Sequence, residues 1–327
     1  MTTQFSFAGA KHSLPSAVPW SPTFMILDST KLKCFMDCPR KFFYEYLLGW
    51  RPTSPNNHLV FGAAIHEAME YLYQNGFEYP KVLAAHDLFM KCYRADFPDP
   101  TSDEMYAPKT PENALVALEE YTAHYHDDPR RYKTVFTEIA GTVPVSPDRV
   151  LNFKMDTILE DTLDETHCCL EHKTKGGGFN RMWNDQWLLS IQTGTYAHVL
   201  NSLYPGEERM LVNVNGIAFL KTKIDFNRVP VEYGPDQMRV WLWNVNHLYD
   251  LYEHYMHLLL DSKESDPVLR TFPMCTESCT KYFGCVYQDF CYSWPNPLRR
   301  CYEPPLGFQI FHWDPSEIDA TQKVELR

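Results

Sequence analysis

From Ser29 onward apolar residues recur at helical spacing, at Leu32, Phe35, Met36, Phe43, Tyr46 and Leu47. Proline disfavours helix at the residue before it, so Pro39 predicts a break at Cys38 and a second helix that it opens itself. Gly49 is the predicted stop. A further helix is predicted from Gly62 to Asn75, with Ile65, Met69 and Leu72 as its apolar stripe and Gly76 at its C-terminal cap. Residues 76–130 read as helices and loops punctuated by prolines. The texture then changes, and 133–145, 149–160 and 167–173 read as successive strands. Residues 183–203 read as helix and 209–222 as a further strand. A long amphipathic helix is predicted over 236–262, with Trp241, Val245, Leu248, Tyr249, Tyr252, Met256 and Leu259 on one side. Residues 1–27, rich in Ser, Pro and Thr, are expected to be loosely ordered, and 313–327 to form an acidic, weakly structured tail.

Composition narrows the class. Hydrophobic residues make up 44% and aromatic residues 15%, ample for a core and too apolar for a disordered chain. At 327 residues the chain has room for one large domain or two modest ones. No apolar run approaches the roughly 20 residues that span a bilayer. The N-terminus carries no apolar stretch behind basic residues, so no signal peptide is expected. Ten cysteines without an export signal point to a reducing, cytoplasmic compartment, where clustered thiols more often bind metal than form disulfides. The net charge of −12 argues against nucleic-acid binding driven by overall charge. It leaves room for a local basic cleft and for a site that gathers carboxylates around a divalent cation.

The segment 151–175 concentrates the chemistry. Asp156 lies in one predicted strand, the polar stretch 160–166 makes a turn, and the chain returns through Glu171 and Lys173. Two residues apart in a strand, Glu171 and Lys173 share a face, and a hairpin brings Asp156 beside them. Two carboxylates held close repel unless a cation sits between them. Hard oxygen ligands suit Mg²⁺ or Mn²⁺, which activate water and stabilise charge on a phosphoryl oxygen. Lys173 would orient the water or offset the developing charge. The bland alternative is a solvated, salt-bridged hairpin.

Near the C-terminus Cys279, Cys285 and Cys291 stand at six-residue intervals, and Cys38 precedes Pro39 far upstream. Four thiolates are the usual ligands of an iron–sulfur cluster or a structural zinc, and the intervals do not separate the two. Cys275 and Cys301 are substitutes from flanking positions, and Cys34 is a rival for Cys38. Cys168 and Cys169 read as packing residues. Arg40, Lys41, Lys175, Arg181, Lys221 and Lys223 are candidates for a phosphate-binding groove or, equally, ordinary solvated charges. Of Phe42, Phe43, Tyr44 and Tyr46, most belong to a core, with one ring free to stack on a base.

Taken in order, these pieces resemble a known family. Ser29…Cys38-Pro39…Phe42…Tyr44…Tyr46, then Gly62…His66…Glu70, then Asp156, Glu171-x-Lys173, Gln192…Tyr196 and the three C-terminal cysteines follow the pattern of the RecB-like branch of the PD-(D/E)XK nucleases. The chain looks most like the subgroup with a four-cysteine iron–sulfur cluster, which includes the nuclease domain of AddB and CRISPR-associated RecB-like exonucleases. The resemblance covers roughly residues 29–292. It implies an α/β fold, a restriction-endonuclease-like core with a mixed central sheet flanked by helices. It implies metal ligation by His66, Asp156, Glu171 and the backbone carbonyl of His172, with Lys173 as the catalytic lysine. Gln192 and Tyr196, together with Arg40 and Lys175, would position DNA, and Glu70 would support the metal site. Cys38, Cys279, Cys285 and Cys291 would hold a [4Fe-4S] cluster, with zinc the less favoured occupant. Met155 stands where the superfamily's name has proline.

The sequence reading is therefore a single nuclease domain over 28–305, between a tail over 1–27 and another over 306–327. Its expected activity is metal-dependent hydrolysis of DNA phosphodiesters, by exonuclease action on free ends, in recombination, repair or viral DNA processing. The alternatives are a CRISPR-adaptation nuclease that trims spacer precursors and a non-catalytic DNA-end-binding scaffold. No membrane partner is expected. Helicase, recombinase and self-association partners are left open.

Overall fold

The computed structural model describes residues 14–281, 284–317 and 320–326. The chain folds as two compact units. One holds the chain up to Ser54, Pro144–Asn152 and the stretch from Val240. The other holds Pro55–Val143, Phe153–Arg239 and the C-terminal strand. Among the described residues no helix is long and apolar enough to cross a membrane.

The second unit is built on a sheet with helices packed against it. Three helices come first: α1 (Asn57–Asn75), α2 (Tyr79–Asp96) and α3 (Pro111–His124). The sheet then begins with β1 (Tyr132–Ser146), β2 (Arg149–Asp161) and β3 (His167–Gly176). Helix α4 (Ile191–Leu203) crosses over to β4 (Met210–Phe219), and β5 (Ile224–Tyr233) follows. The last strand is β6 (Gln322–Glu325). The six strands lie in the order β5-β4-β3-β2-β1-β6. Pairing is antiparallel for β2–β3 and β4–β5, and parallel for β3–β4 and β1–β6. This is a mixed α/β sheet flanked by helices, as the sequence implied.

The helices dock through the stripe their spacing predicts. Phe61, Ile65, Met69 and Leu72 of α1 meet Phe89 and Tyr93 of α2, Leu118 and Tyr121 of α3, and Ile217 and Phe219 of β4. All are fully buried. Helix α1 starts at Asn57, five residues before the predicted Gly62, because the Asn56 side chain caps it by accepting from the His58 N–H at 2.9 Å. The predicted helix 183–203 is interrupted: a short turn of helix covers Arg181–Asp185, and α4 begins only after Ser190 caps it. Strand β5 was not anticipated, since Asp225, Asn227 and Arg228 interrupt its apolar pattern.

The C-terminal residues overturn the expectation of a weakly structured tail over 313–327. Gln322–Glu325 add a parallel strand at the sheet edge, with Gly141 opposite Val324. A Cβ at position 141 would lie 1.8 Å from the Val324 carbonyl oxygen, so glycine is what admits this strand. Nothing in the local pattern of QKVE announces a strand; the partner supplies it.

In the first unit, Ser29–Asp37 is helical and Asp28 caps it, accepting from the Lys31 N–H at 2.7 Å. Cys38 is extended, and Pro39 opens the next helical segment, as predicted. The long helix Pro235–Leu260 anchors this unit, with Tyr252 donating to the Phe24 carbonyl at 2.8 Å and packing edge-on against Phe35 and Phe42. Residues 14–27, read as loosely ordered, contain a short helical turn at Pro22–Met25 and bury Ala17, Val18, Phe24 and Leu27; residues 1–13 lie outside the described residues. A small antiparallel ladder pairs Trp50–Pro52 with Phe308–Ile310.

Candidate active site

The hairpin β2–β3 sets the centre of the site. Its ladder pairs Thr157 with Leu170 through Glu160 with His167. One more step in that register sets Asp156 opposite Glu171. At that step the His172 N–H donates to the Asp156 carboxylate, 2.8 Å from Oδ2. Helix α1 brings His66 to the same oxygen, with Nδ1 at 3.2 Å. Strand β1 contributes Glu138. One ligand atom from each of His66, Glu138 and Asp156 lies within 4.8 Å of the others.

Glu171 is held from two directions. Its Oε1 accepts from Gln192 Nε2 at 2.9 Å and from the Lys173 ammonium. Gln192 also donates to the Tyr196 hydroxyl at 2.8 Å, one turn further along α4. The second oxygen, Oε2, is buried without a hydrogen-bond partner among the described residues. A buried, unsatisfied carboxylate oxygen is costly, and a metal ion is the group that would satisfy it.

The electrostatics describe a surplus of buried negative charge. Burial, and then Asp156, raise the Glu171 pKa above its ordinary 4.5. The same two causes push Glu138 up to about 7, against the opposing pull of its ion pair with Lys154. Burial also disfavours a charged Asp156, but His66, then His172 and Lys173, outweigh it and hold this carboxyl well below the usual range. Burial opposes the His66 cation, yet Asp156 prevails and raises its pKa. Burial likewise opposes the Lys173 charge, and Glu171 and Asp156 together keep its pKa above 10.5. The His172 ring is different: desolvation drives its pKa down to about 3 and leaves it neutral. Three carboxylates and one imidazole, oxygen-rich and partly unsatisfied, fit a hard divalent cation such as Mg²⁺ or Mn²⁺.

Behind β3 a polar network packs on His172. Asn215 Nδ2 lies 3.2 Å from His172 Nδ1 and donates to the Tyr121 hydroxyl at 2.6 Å. The Arg228 guanidinium donates to Asn215 Oδ1 at 3.3 Å and to Asp128 at 2.7 and 3.1 Å.

The residues singled out in the sequence fall into different places. His66, Asp156, Glu171, Lys173, Gln192 and Tyr196 converge, and the His172 backbone lies among them. Glu70 sits at the margin, its Oε1 accepting from Gln74 and from Thr137, the neighbour of Glu138. Lys175 turns toward the Gly178 carbonyl at 2.7 Å and lies over the rings of Phe179 and Trp183. Arg40 is not on a surface: it is buried and donates to the carbonyls of Phe272 and Leu269, so its charge serves the interior of the first unit. Phe42, Phe43, Tyr44 and Tyr46 are all buried, which leaves no ring of this run free for a base.

Glu138 was missed. Its signal was that it is the one charged residue in the stretch 135–145 of β1. Its φ of +49° is a second mark, invisible in sequence: a non-glycine residue in the left-handed region is strained and held there by its surroundings.

In the first unit, Cys38, Cys275, Cys279 and Cys285 line one cavity, with Lys41 and Ser278 at its wall. Cys291 lies within electrostatic reach of Cys38, Cys279 and Cys285. The Cys275 N–H donates to Cys38 Sγ at 3.4 Å. Cys34 and Cys301 turn elsewhere, toward Glu45 at 3.9 Å and the Pro297 carbonyl at 2.9 Å. The donor set fits a thiolate-ligated metal group; of the four thiols lining the cavity Cys275 is one, and Cys291 is in electrostatic reach of the other three.

Comparison with known families finds that the profile of the PD-(D/E)XK nuclease superfamily matches residues 29–291. Among solved structures, a protein from Eubacterium rectale, provisionally described as an exonuclease, aligns with 77% of this chain and 87% of its own at 11% identity and a TM-score of 0.43. A protein designated SSO0001 aligns with 59% of this chain and 84% of its own at 10% identity and a TM-score of 0.27. Curated proteins gave no match.

Proposed function

This chain belongs to the PD-(D/E)XK nuclease superfamily, and we propose that within it the chain is a RecB-like, metal-dependent DNA exonuclease with an iron–sulfur cluster. The observation that carries the reading is the cluster of His66, Glu138 and Asp156, with Glu171 in electrostatic reach of Asp156 and His66 and its own Oε2 buried without a hydrogen-bond partner among the described residues.

In this reading His66, Asp156, Glu171 and the His172 carbonyl hold a Mg²⁺ or Mn²⁺ ion, with Glu138 adjacent. A divalent ion there supplies Lewis-acid polarisation of a phosphodiester oxygen and a water acidic enough to attack at neutral pH. The chain's own residues do the rest. The His172 N–H fixes one Asp156 oxygen and so aims the other lone pairs of that carboxylate. Gln192 fixes Glu171 through Oε1 and leaves Oε2 free to coordinate. Lys173 stays protonated at neutral pH and offsets negative charge that develops on the phosphoryl group. DNA is the substrate, and attack at free ends rests on the resemblance to RecB-like exonucleases.

The cysteine cavity is the proposed cluster site. Cys38, Cys279, Cys285 and Cys291 are the proposed ligands, and Cys275 lies close enough to be tested beside them. A fully ligated four-thiolate group leaves no open position for substrate, so its role is structural.

The test is degradation of end-labelled linear DNA and closed circular DNA with Mn²⁺, by wild type and Lys173→Ala. Loss of linear DNA by the wild type alone is expected. Equal activity of the variant would sink the catalytic assignment, and rapid cutting of closed circles would sink exonuclease action.

A further inference from the structure

Lys109, between the helices of the second unit, has no part in the site described above. It is 4% exposed, and among the described residues its ammonium makes one hydrogen bond, to Thr174 Oγ1 at 3.1 Å, beside the face of Phe61 at 5.7 Å. Among the described residues no carboxylate lies within ion-pairing distance of it. Desolvation alone lowers its pKa to about 8, so at neutral pH it remains a buried, uncompensated cation. Such a charge opposes folding and needs an anion that folding does not provide.

Thr174 places that charge next to the chemistry. It follows Lys173 in β3 and is only partly buried. Its oxygen accepts from Lys109, so its own O–H is left to donate to something else. Glycine on α1 leaves a methyl-sized gap beside that oxygen. A Cβ at Gly62 would lie 3.5 Å from Thr174 Oγ1. One helical turn further along the same face of α1 stands His66, against Asp156. A donor, a positive charge behind it and a gap in front thus sit about one turn, roughly 5–6 Å, from the metal-site histidine.

We propose that Thr174, with Lys109 behind it and the gap at Gly62 in front, forms a subsite for a nucleic-acid backbone phosphate next to the one being hydrolysed. The Thr174 hydroxyl donates to a phosphate oxygen, and Lys109 supplies the compensating charge through the threonine. The subsite contributes to strand binding and not to bond breaking. It rests on the nuclease reading above.

The experiment measures binding of a fluorescein-labelled single-stranded oligonucleotide by anisotropy, with Ca²⁺ replacing Mn²⁺, across a series of KCl concentrations. Wild type, Lys109→Met, Thr174→Val and Gly62→Ala are compared, with melting temperatures recorded alongside. Loss of one phosphate contact should lower the slope of log K against log salt by about 0.7 in Lys109→Met and Thr174→Val. Their dissociation constants should rise several-fold, and Gly62→Ala should weaken binding without changing the charge. Lys109→Met should melt at a higher temperature than wild type, because it removes the buried charge. An undiminished salt slope in both Lys109→Met and Thr174→Val overturns the subsite, whatever the melting temperatures. A lower melting point for Lys109→Met with unchanged binding identifies a structural lysine and overturns it as well. If the wild type binds and degrades DNA while the variants match it, only the subsite fails. If the wild type neither binds nor degrades DNA, the nuclease reading fails first and takes the subsite with it.

Discussion

The His172 N–H donates to Asp156 Oδ2 at 2.8 Å, the same oxygen that His66 Nδ1 approaches to 3.2 Å. One carboxylate thus ties β2 to β3 and to α1. Asp156→Asn keeps the shape and removes the charge. Nuclease activity should fall by about 10³-fold or more, since the substitution removes both a proposed metal ligand and the electrostatic frame of the site. Mn²⁺ affinity, measured by calorimetry, should fall with it. Full Mn²⁺ affinity in the variant would remove Asp156 from the ligand set.

Glu138 gives the metal-free protein a defined pH dependence. Its folded pKa, about 7, is raised above the ordinary 4.5 by burial and by Asp156. The folded state therefore binds this proton more tightly than the unfolded state does. Its favourable contribution is complete below about pH 4.5 and is lost as pH rises through 7, a change of about 3 kcal/mol. Urea titrations in EDTA should show wild type losing stability over that interval. Glu138→Gln should flatten the decline and, with Mn²⁺ restored, should bind the ion more weakly. A wild-type profile as flat as the variant's would contradict the assignment.

Asp128 and Arg228 form a largely buried ion pair, 2.7 Å apart, that Tyr73 and Tyr121 complete. Asp128→Asn strands the guanidinium and should cost about 3–5 kcal/mol. Asp128→Asn combined with Arg228→Met should recover much of that loss, because no charge is left unpaired. Chemical denaturation of wild type, Asp128→Asn, Arg228→Met and the double variant measures the difference. A double variant as unstable as the sum of the two single variants would show that the pair is not the source of the coupling.

Gly141 admits the C-terminal strand. Gly141→Ala would force a methyl group against the Val324 carbonyl, where the two cannot coexist. Hydrogen exchange over 322–325 should lose protection, with a global cost of about 1–3 kcal/mol. Retained protection would mean that β1 shifts to accommodate the methyl group.

Cys285→Ala tests the proposed cluster. Anaerobically purified wild type should contain iron and absorb in the visible, and the variant should lose both and melt at a lower temperature. Zinc in place of iron would replace the cluster with a structural zinc. A variant that keeps its metal and its stability would remove Cys285 from the ligands.

How much of this was legible in the sequence depends on how far apart the partners lie. The stripe Ile65, Met69 and Leu72, the break at Cys38-Pro39 and the strands around Asp156 and Glu171 follow from periodicities of 3.6 and 2 and from the geometry of proline. Each is a property of a few neighbouring residues, so the sequence alone determines it. The facing of Asp156 and Glu171 was legible for the same reason: a hairpin links them through one short turn. The tertiary structure decided the rest. It brought Glu138 to Asp156 from another strand, buried Arg40 where a surface charge was expected, paired QKVE with β1 and set Lys109 behind Thr174. No local pattern encodes these contacts, because each depends on segments far apart in the chain being packed together. Burial then fixes what the side chains become, so a lysine or glutamate that would be an ordinary solvated charge on a surface has its pKa displaced inside, as at Lys109 and Glu138.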